Sequence, residues 1–434
     1  MRSFLSRHRI LSTIIVFLAL AIAMPLFSSA KPTLAHVNTP RSIPGWVGTW
    51  AASPQAAPPA SINIFPGDLA TAGFNNQTVR NIIFTSRGGS ALRIRLSNTF
   101  GTQPLTISQA TVGVELNGAI LVANMTRTVT FSGHTSVTIP VGQELVSDPI
   151  PFTVLPLENL AVSLFLPQAT GPATNHADAQ QTNFVASGNH ASDSAATAFT
   201  TQSGTWYYLD AVDVFSSSAS TGSIVAFGDS ITDGFQSQGN ANGRWPNQLA
   251  RRLVASFGSQ APGVLDAGIS GNRVLNDSVC FGQNAIARFQ RDALSQAGVH
   301  TVILLEGIND IGFSSAPNSG CTAPNTNVSA QQIIQGYMQL IAQAHAHHVR
   351  ILGATLTPAF NITQSAENLN KWQTINTWIR TSHAFDGVID FADATADPFN
   401  PLIFNPGFNS GDELHPNDAG YQAMANSINL AELI

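Results

Sequence analysis

Ile224-Val225-Ala226-Phe227-Gly228-Asp229-Ser230-Ile231-Thr232-Asp233-Gly234 is the most informative segment of the 434-residue chain. An apolar run of strand length stops abruptly at Gly228, and a serine stands in the turn that follows. A serine displayed where a buried strand ends is a common way to present a nucleophile.

Working downstream, apolar strands alternate with segments whose apolar residues recur at helical spacing. Strands are expected at 223–228, 264–267, 301–306, 349–355 and 387–391. Helices are expected at 247–257, 285–296, 330–347 and 367–383, with a last one at about 418–430. Regular alternation of this kind predicts a parallel sheet with helices on both faces. Such sheets bind ligands at the carboxyl ends of their strands. Ser230, Gly271 and Asn309 all fall at expected strand ends.

Upstream the periodicity differs. Ala91-Leu92-Arg93-Ile94-Arg95-Leu96, Thr128-Val129-Thr130-Phe131, Ser136-Val137-Thr138-Ile139-Pro140 and Leu160-Ala161-Val162-Ser163-Leu164-Phe165 are short strand-like runs between Gly and Pro punctuation. They predict an antiparallel β-sandwich of jelly-roll type over residues 45–218. A Ser/Ala/Thr stretch at 216–223 separates it from an α/β domain at 222–434. At the amino end, Arg2, Arg7 and Arg9 precede an apolar run from Ile10 to Met24 and then Ser28-Ser29-Ala30. This reads as a signal peptide over residues 1–30, cleaved after Ala30, and so as a secreted protein. The alternative is a membrane anchor, for which the run is marginally short.

Composition narrows the partners. Only 10% of residues are charged against 44% hydrophobic, the net charge is -6, and lysine occurs only at Lys31 and Lys371. No basic cluster follows the leader, so nucleic acid is not an expected partner, and no stable membrane anchor is expected. The two cysteines, Cys280 and Cys321, both lie in Gly/Asn/Ser-rich loops. In an exported chain a bridge between these loops is one reading, and two buried thiols are the other. A metal site would need more ligands nearby, so neither a metal nor another cofactor is expected.

A serine hydroxyl is a poor nucleophile at neutral pH and needs a base, with a third group orienting that base. Asp412-Glu413-Leu414-His415 supplies both within one loop, Asp412 to hold the Nδ1 proton and His415 to face Ser230 through Nε2. Taken alone the same residues also fit a helix-capping turn. The charge that develops on a tetrahedral intermediate needs fixed donors. The backbone amides of Ser230 and Gly271 are candidates, as is the side-chain amide of Asn309. Each separately also fits a plain turn.

Jointly the blocks Gly228-Asp229-Ser230, Ser270-Gly271-Asn272, Gly307-Ile308-Asn309-Asp310 and Asp412-x-x-His415 are far more specific. In that order and spacing the chain resembles the SGNH, or GDSL, hydrolase superfamily over about residues 222–434. The resemblance implies a three-layer α/β/α flavodoxin-like fold and hydrolysis of carboxylic esters through an acyl-enzyme. It assigns Ser230 as nucleophile, His415 as general base and Asp412 as orienting acid, with Ser230, Gly271 and Asn309 forming the oxyanion hole. Ile231 replaces the leucine of the family's name and carries no chemistry. Thr232 stands where the nucleophile elbow of α/β-hydrolases needs a glycine, which disfavours that fold.

The string Gly45-Trp46-Val47-Gly48-Thr49-Trp50-Ala51-Ala52-Ser53-Pro54 is similar to the opening of the N-terminal β domain in some secreted SGNH hydrolases related to xylanase-associated esterases. That likeness implies short acyl esters, acetyl groups on polysaccharide among them, as substrates. Lipid or aryl esters are the alternative within the enzyme class, and a catalytically inactive carbohydrate-binding protein is the alternative outside it. Among the remaining candidates, Trp46 and Trp50 are expected in core or interdomain packing, with sugar stacking as the alternative, and His176 in a surface loop, with a reach over the active site from the neighbouring domain as the alternative. His345, His347 and His348 are expected at a solvated helix end. Asp233 is expected to cap the next helix, and Arg244 with Trp245 either lines the pocket or packs a helix start.

Overall fold

The computed structural model describes residues 45–434 apart from 63, 66 and 218–220. The expected leader at 1–30 lies outside the described residues.

Alternation organises the first half. In the strand Ala91–Ser97, Leu92, Ile94 and Leu96 are buried, while Arg93 and Arg95 point away and pair with Asp213 at 2.8 Å and Asp210 at 3.1 Å on the neighbouring strand. That strand belongs to an antiparallel sheet ordered Gly45–Ala51, Leu209–Ser216, Ala91–Ser97, Glu144–Val146. A second antiparallel sheet is ordered Thr201–Ser203, Asn183–Ser187, Gln77–Phe84, Asn159–Leu166, Gln109–Asn117, Ile120–Val129. Leu92, Ile94, Val212 and Val214 of the first meet Val79, Ile83, Leu160 and Val162 of the second in one core. This is the packing of a β-sandwich.

Gln77–Phe84 shows no polar alternation because both of its faces are covered. Val79 and Ile83 face the sandwich, while Ile82 joins Leu121, Ala161 and Phe184 in a smaller apolar cluster on the outer side. Arg80 is buried beside that cluster and spends its donors on Ser163 Oγ and the carbonyl oxygens of Ala119 and Asp193.

The second half is a five-stranded parallel sheet ordered Gly263–Gly268, Ser223–Gly228, Val299–Leu305, Arg350–Ala354, Gly387–Ile389. In sequence order this is 2-1-3-4-5, the flavodoxin-like arrangement, whose topological switch point lies beside the first strand. Reversal there sends crossovers to opposite faces. Trp245–Phe257, Phe391–Thr395 and Asp418–Ser427 pack together as one group, and Ala285–Phe289, Ala330–Ala346 and Ala366–Thr381 as the other. The strands are apolar throughout, and Ile224, Val225, Ala226 and Phe227 are fully buried.

Two expected helices end differently. Residues 285–296 form a short α-helix, Ala285–Phe289, which continues as a π turn, Gln290–Leu294. The last helix stops at Ser427 and is followed by a 3₁₀ turn, Leu430–Glu432.

Residues of the sandwich and of the parallel sheet pack as one compact unit. The strand Gly45–Ala51 runs against Gly263–Gly268, and two glycines allow the approach. A Cβ on Gly48 would stand 2.6 Å from Leu265 Cδ1, and one on Gly263 would stand 1.9 Å from the Gly48 carbonyl oxygen. Gly48 donates to the Ala297 carbonyl at 2.9 Å, and Val264 donates to Ser86 Oγ at 2.9 Å. The tryptophan string thus opens the sandwich and forms its seam with the parallel sheet. Trp50 meets Trp206 edge-on at 5.0 Å, and Trp46 meets Phe215 at 5.6 Å.

Candidate active site

Ser230 begins a one-turn helix, Ser230–Asp233, directly beyond the first parallel strand. Asp229 is its N-cap and accepts from the Ile231 amide at 3.0 Å, while Gly234 at φ 87° ends it. A capped helix start directs its first amides outward, because they have no partner four residues back. Asp229 is fully buried. Desolvation, only partly offset by the Ile231 amide, pushes its carboxyl up to about 7.

Ser230 Oγ lies 2.9 Å from His415 Nε2, and His415 Nδ1 lies 2.6 Å from Asp412 Oδ2. The Asp412–His415 loop can bring its ends together because Glu413 takes the left-handed conformation, φ 62°. Asp412 Oδ1 accepts from the amides of Leu414 at 3.0 Å and His415 at 2.8 Å and from Ser410 Oγ at 3.0 Å. Partial burial raises the Asp412 carboxyl, but the bonds from the His415 ring and these amides outweigh that and hold it well below the usual carboxylate range. The His415 ring also rests on the Phe235 ring at 4.7 Å, and Tyr421 fixes Phe235 by donating to its carbonyl oxygen at 2.6 Å. One nitrogen of the imidazole is thereby anchored to an acid and the other aimed at the serine.

Gly271 sits in the turn that follows the second parallel strand, closed by the Asn272 amide on the Ile269 carbonyl at 3.0 Å. Its φ of 79° is the left-handed value that the third residue of a type II turn requires. A side chain there is doubly excluded, since a Cβ would stand 2.4 Å from Phe281 Cγ. Asn309 lies in the first turn of Ile308–Gly312, beyond the third parallel strand, and its Nδ2 donates to the Asn272 carbonyl at 3.0 Å. One N–H of that amide is used in tying two blocks together; the other remains to bond elsewhere. The neighbouring Asp310 accepts from the amides of Val274 at 2.7 Å and Leu275 at 3.1 Å. All five sequence-predicted site residues therefore converge at the carboxyl end of the sheet.

Behind them lies a fully buried guanidinium, that of Arg288. It donates to the carbonyl oxygens of Gly228 and Ala267, both at 2.8 Å, to Asn272 Oδ1 at 2.9 Å and to Ser53 Oγ at 3.2 Å. Asp292 at 3.3 Å balances its charge, and the Glu306 carboxyl lies 3.5 Å away. Desolvation raises the Glu306 carboxyl well above its ordinary value. One side chain thus clamps the ends of two strands and the Gly271 turn.

Several sequence expectations need correction. His176 is not on the surface: it is 4% exposed, and its ring bonds Ser53 and Asp233. Asp233 caps no following helix; its carboxylate accepts from His176 and Ser270. Of the two readings for Arg244 and Trp245, the packed helix start holds: both are buried at the start of Trp245–Phe257, with Arg244 over the Trp206 ring at 5.2 Å. His345 lies exposed in the last helical turn, as expected, and pairs there with Asp386 at 3.0 Å. Among the described residues no group of His, Cys, Asp and Glu is arranged to hold a metal. Cys280 and Cys321 form a disulfide with a Cα separation of 5.2 Å, and Gln55 Nε2 donates to the Cys280 carbonyl at 3.2 Å. A cavity of about 580 Å³ lined by Gly88, Val154, Phe215, Val254 and Ala261 lies toward the opposite end of the parallel strands and takes no part in this constellation.

A serine bonded to an imidazole that is bonded to a carboxylate, at the switch end of a flavodoxin-like sheet, is the arrangement of a serine hydrolase. Residues 226–423 match the GDSL-like Lipase/Acylhydrolase family, and this stretch is a GDSL-type ester hydrolase domain. The chain is similar to several solved structures. A GDSL-like lipase from Bacteroides thetaiotaomicron VPI-5482 is 19% identical, over 49% of this chain and 88% of its own, with a TM-score of 0.34. The acetyl xylan esterase AlAXEase is 19% identical, over 49% and 100%, with a TM-score of 0.35. The inhibitor-bound aryl esterase of M. smegmatis is 15% identical, over 49% and 99%, with a TM-score of 0.36. A search of curated proteins returned no match.

Proposed function

We propose that the protein is a secreted serine esterase that cleaves short acyl esters, acetyl groups on carbohydrate among them, through an acyl-enzyme. The observation that carries the mechanism is the continuous relay Ser230 Oγ, His415, Asp412 at 2.9 and 2.6 Å. Ser230 Oγ attacks the ester carbonyl while its proton passes to His415 Nε2. Asp412 steadies the imidazolium that forms. The amides of Ser230 and Gly271 and the second N–H of Asn309 receive the oxyanion, and His415 returns the proton to the leaving alcohol. Water, deprotonated by the same ring, then releases the acid and restores Ser230.

Support for a small acyl group comes from Phe281, which closes the space beside Gly271, next to a disulfide that pins its loop. The weakly charged surface suits a neutral polymer. Export is supported by the leader-like sequence and the disulfide; no helix among the described residues is long and apolar enough to cross a membrane.

Release of p-nitrophenol from acetyl through palmitoyl esters, by wild type and Ser230→Ala, tests the reading. Turnover should be highest for acetyl and butyryl esters and absent in the variant. Equal rates for the two proteins would remove Ser230 from the chemistry, and a preference for long chains would point to lipid esters. Acetate release from acetylated xylan then tests the carbohydrate.

A further inference from the structure

His176 comes from the β-sandwich, yet it is buried beside the turn that carries Ser230. Its Nδ1 lies 2.9 Å from the Ser53 carbonyl oxygen, and its Nε2 lies 3.1 Å from Asp233 Oδ1. A carbonyl oxygen can only accept, so Nδ1 carries a proton. Asp233 Oδ2 accepts from the amide of Ser270 at 3.0 Å and lies 2.9 Å from its Oγ, whose single proton also faces Asp178 Oδ2 at 2.9 Å, so Asp233 is an acceptor in this cluster. Nε2 then donates as well, and the ring is an imidazolium.

Asp233 has two attachments of different kinds. Its backbone is the last residue of the helix that Ser230 begins, and its side chain grips Ser270, the residue before Gly271. The two amides expected to receive an oxyanion, of Ser230 and Gly271, are thus spaced by this one residue. Gly268 permits the spacing, for a Cβ there would stand 2.3 Å from the Asp233 nitrogen. An unpaired carboxylate at 1% exposure would be costly and would be driven to repack or protonate. Either change would loosen its hold on Ser270.

We propose that His176 is a positioning residue for ester hydrolysis: as a buried imidazolium it neutralises Asp233, and Asp233 holds the Ser270–Gly271 turn where the Gly271 amide meets the oxyanion. The inference rests on the assignment of Ser230 and Gly271 made above. Charged groups of both signs surround the ring. Asp178, from the loop after His176, lies 2.9 Å from Ser270 Oγ, and Arg244 pairs with Asp266 of the second parallel strand at 3.7 Å. Burial pulls the His176 pKa down and Arg244 opposes the charge, but Asp233 and the Ser53 carbonyl outweigh both and raise it. The sandwich thereby supplies part of the site's support through the string Ala51-Ala52-Ser53-Pro54, which runs into the seam: Ser53 meets His176 with its carbonyl and Arg288 with its hydroxyl.

The test uses His176→Gln and the nearly isosteric Asp233→Asn, with p-nitrophenyl acetate as substrate and phenylboronic acid as a tetrahedral adduct that draws on the same donors. Loss of one oxyanion donor costs about 10²- to 10³-fold, so displacing one should lower kcat by ~10-fold or more. KM should stay within about twofold, and boronate affinity should fall in parallel with kcat, since only the tetrahedral species uses these donors. Unchanged kcat and boronate affinity in a folded variant would overturn the inference. If His176→Gln fails to fold, Asp233→Asn decides by the same criteria. Ser230→Ala in the same assay separates the two levels: full activity there overturns the serine mechanism itself, whereas an inactive Ser230→Ala beside a fully active His176→Gln overturns only the role of His176.

Discussion

Arg288 donates to the carbonyl oxygen of Gly228 at 2.8 Å, two residues ahead of Ser230, with its guanidinium over the Phe227 ring at 3.9 Å. The position of the serine turn is therefore fixed from beneath by a charge that never meets solvent. Replacing Arg288 by Met would remove the buried cation beside Asp292 and Glu306 and take one donor from each of four acceptors. Breaking a buried pair from one side costs about 3–5 kcal/mol. Urea unfolding of Arg288→Met should show a loss of that order, and Arg288→Lys should recover only part of it because an ammonium cannot fork. A midpoint equal to wild type would mean that the cluster contributes nothing to stability.

Asp412→Asn keeps the shape of the His415 loop and removes the charge that steadies the imidazolium. Turnover of p-nitrophenyl acetate should fall by about 10²- to 10⁴-fold with the fold intact. Asn309→Ala should lower kcat by roughly 10²- to 10³-fold and leave KM nearly unchanged, as expected for a donor used in the transition state. A raised KM at constant kcat would instead make Asn309 a binding group.

Stability should decline as pH rises from 5 to 8. Burial raises Asp229 and Asp266 to about 7 and Asp178 and Asp310 to about 6. Unfolded carboxyls titrate near ~4, so between about pH 4 and 7 the folded state binds more protons and loses stability with rising pH. Asp412 works the other way: its contribution is present above ~4 and is lost only as pH falls toward its lowered folded value. Melting temperatures at pH 5 and 8 check the sign, and Asp229→Asn should flatten the slope. A melting temperature that climbs across this range would contradict these assignments.

Reduction of the Cys280–Cys321 bridge releases a loop closed over 41 residues. Loop entropy of that length corresponds to about 4 kcal/mol. Because Phe281 adjoins the bridge and packs on Gly271, Cys280→Ala with Cys321→Ala should lower turnover as well as the denaturation midpoint. Loss of stability with full activity would show that Phe281 holds its place unaided.

The chemistry of this site was legible wherever it lay within a few residues of a strand end. The first parallel strand is found at Ser223–Gly228 as read, because an unbroken apolar run of strand length can be buried on both faces only inside a sheet, and Gly-Asp ends it. The pairing of Asp412 with His415 was legible because both lie in one loop. His176 was not: its signal is an isolated histidine among polar residues, and its partners Ser53 and Asp233 lie 123 and 57 residues away. Asp233 was misread for the same reason, since local spacing reports caps and turns while burial is decided by what the other half of the chain brings. The π turn after Phe289 was equally hidden, because helical spacing of apolar residues does not distinguish the two hydrogen-bond ladders.

The seam also carries a kinetic consequence. Ser53 meets Arg288 across 235 residues and Gln55 meets Cys280 across 225, whereas the pairings within the sandwich draw on residues up to Ser216. Contacts so far apart in sequence form late, after the entropy of closing the intervening chain has been overcome. On refolding, β-sheet circular dichroism should therefore return before esterase activity, and the lag between them should measure how long the two ends of this seam take to meet.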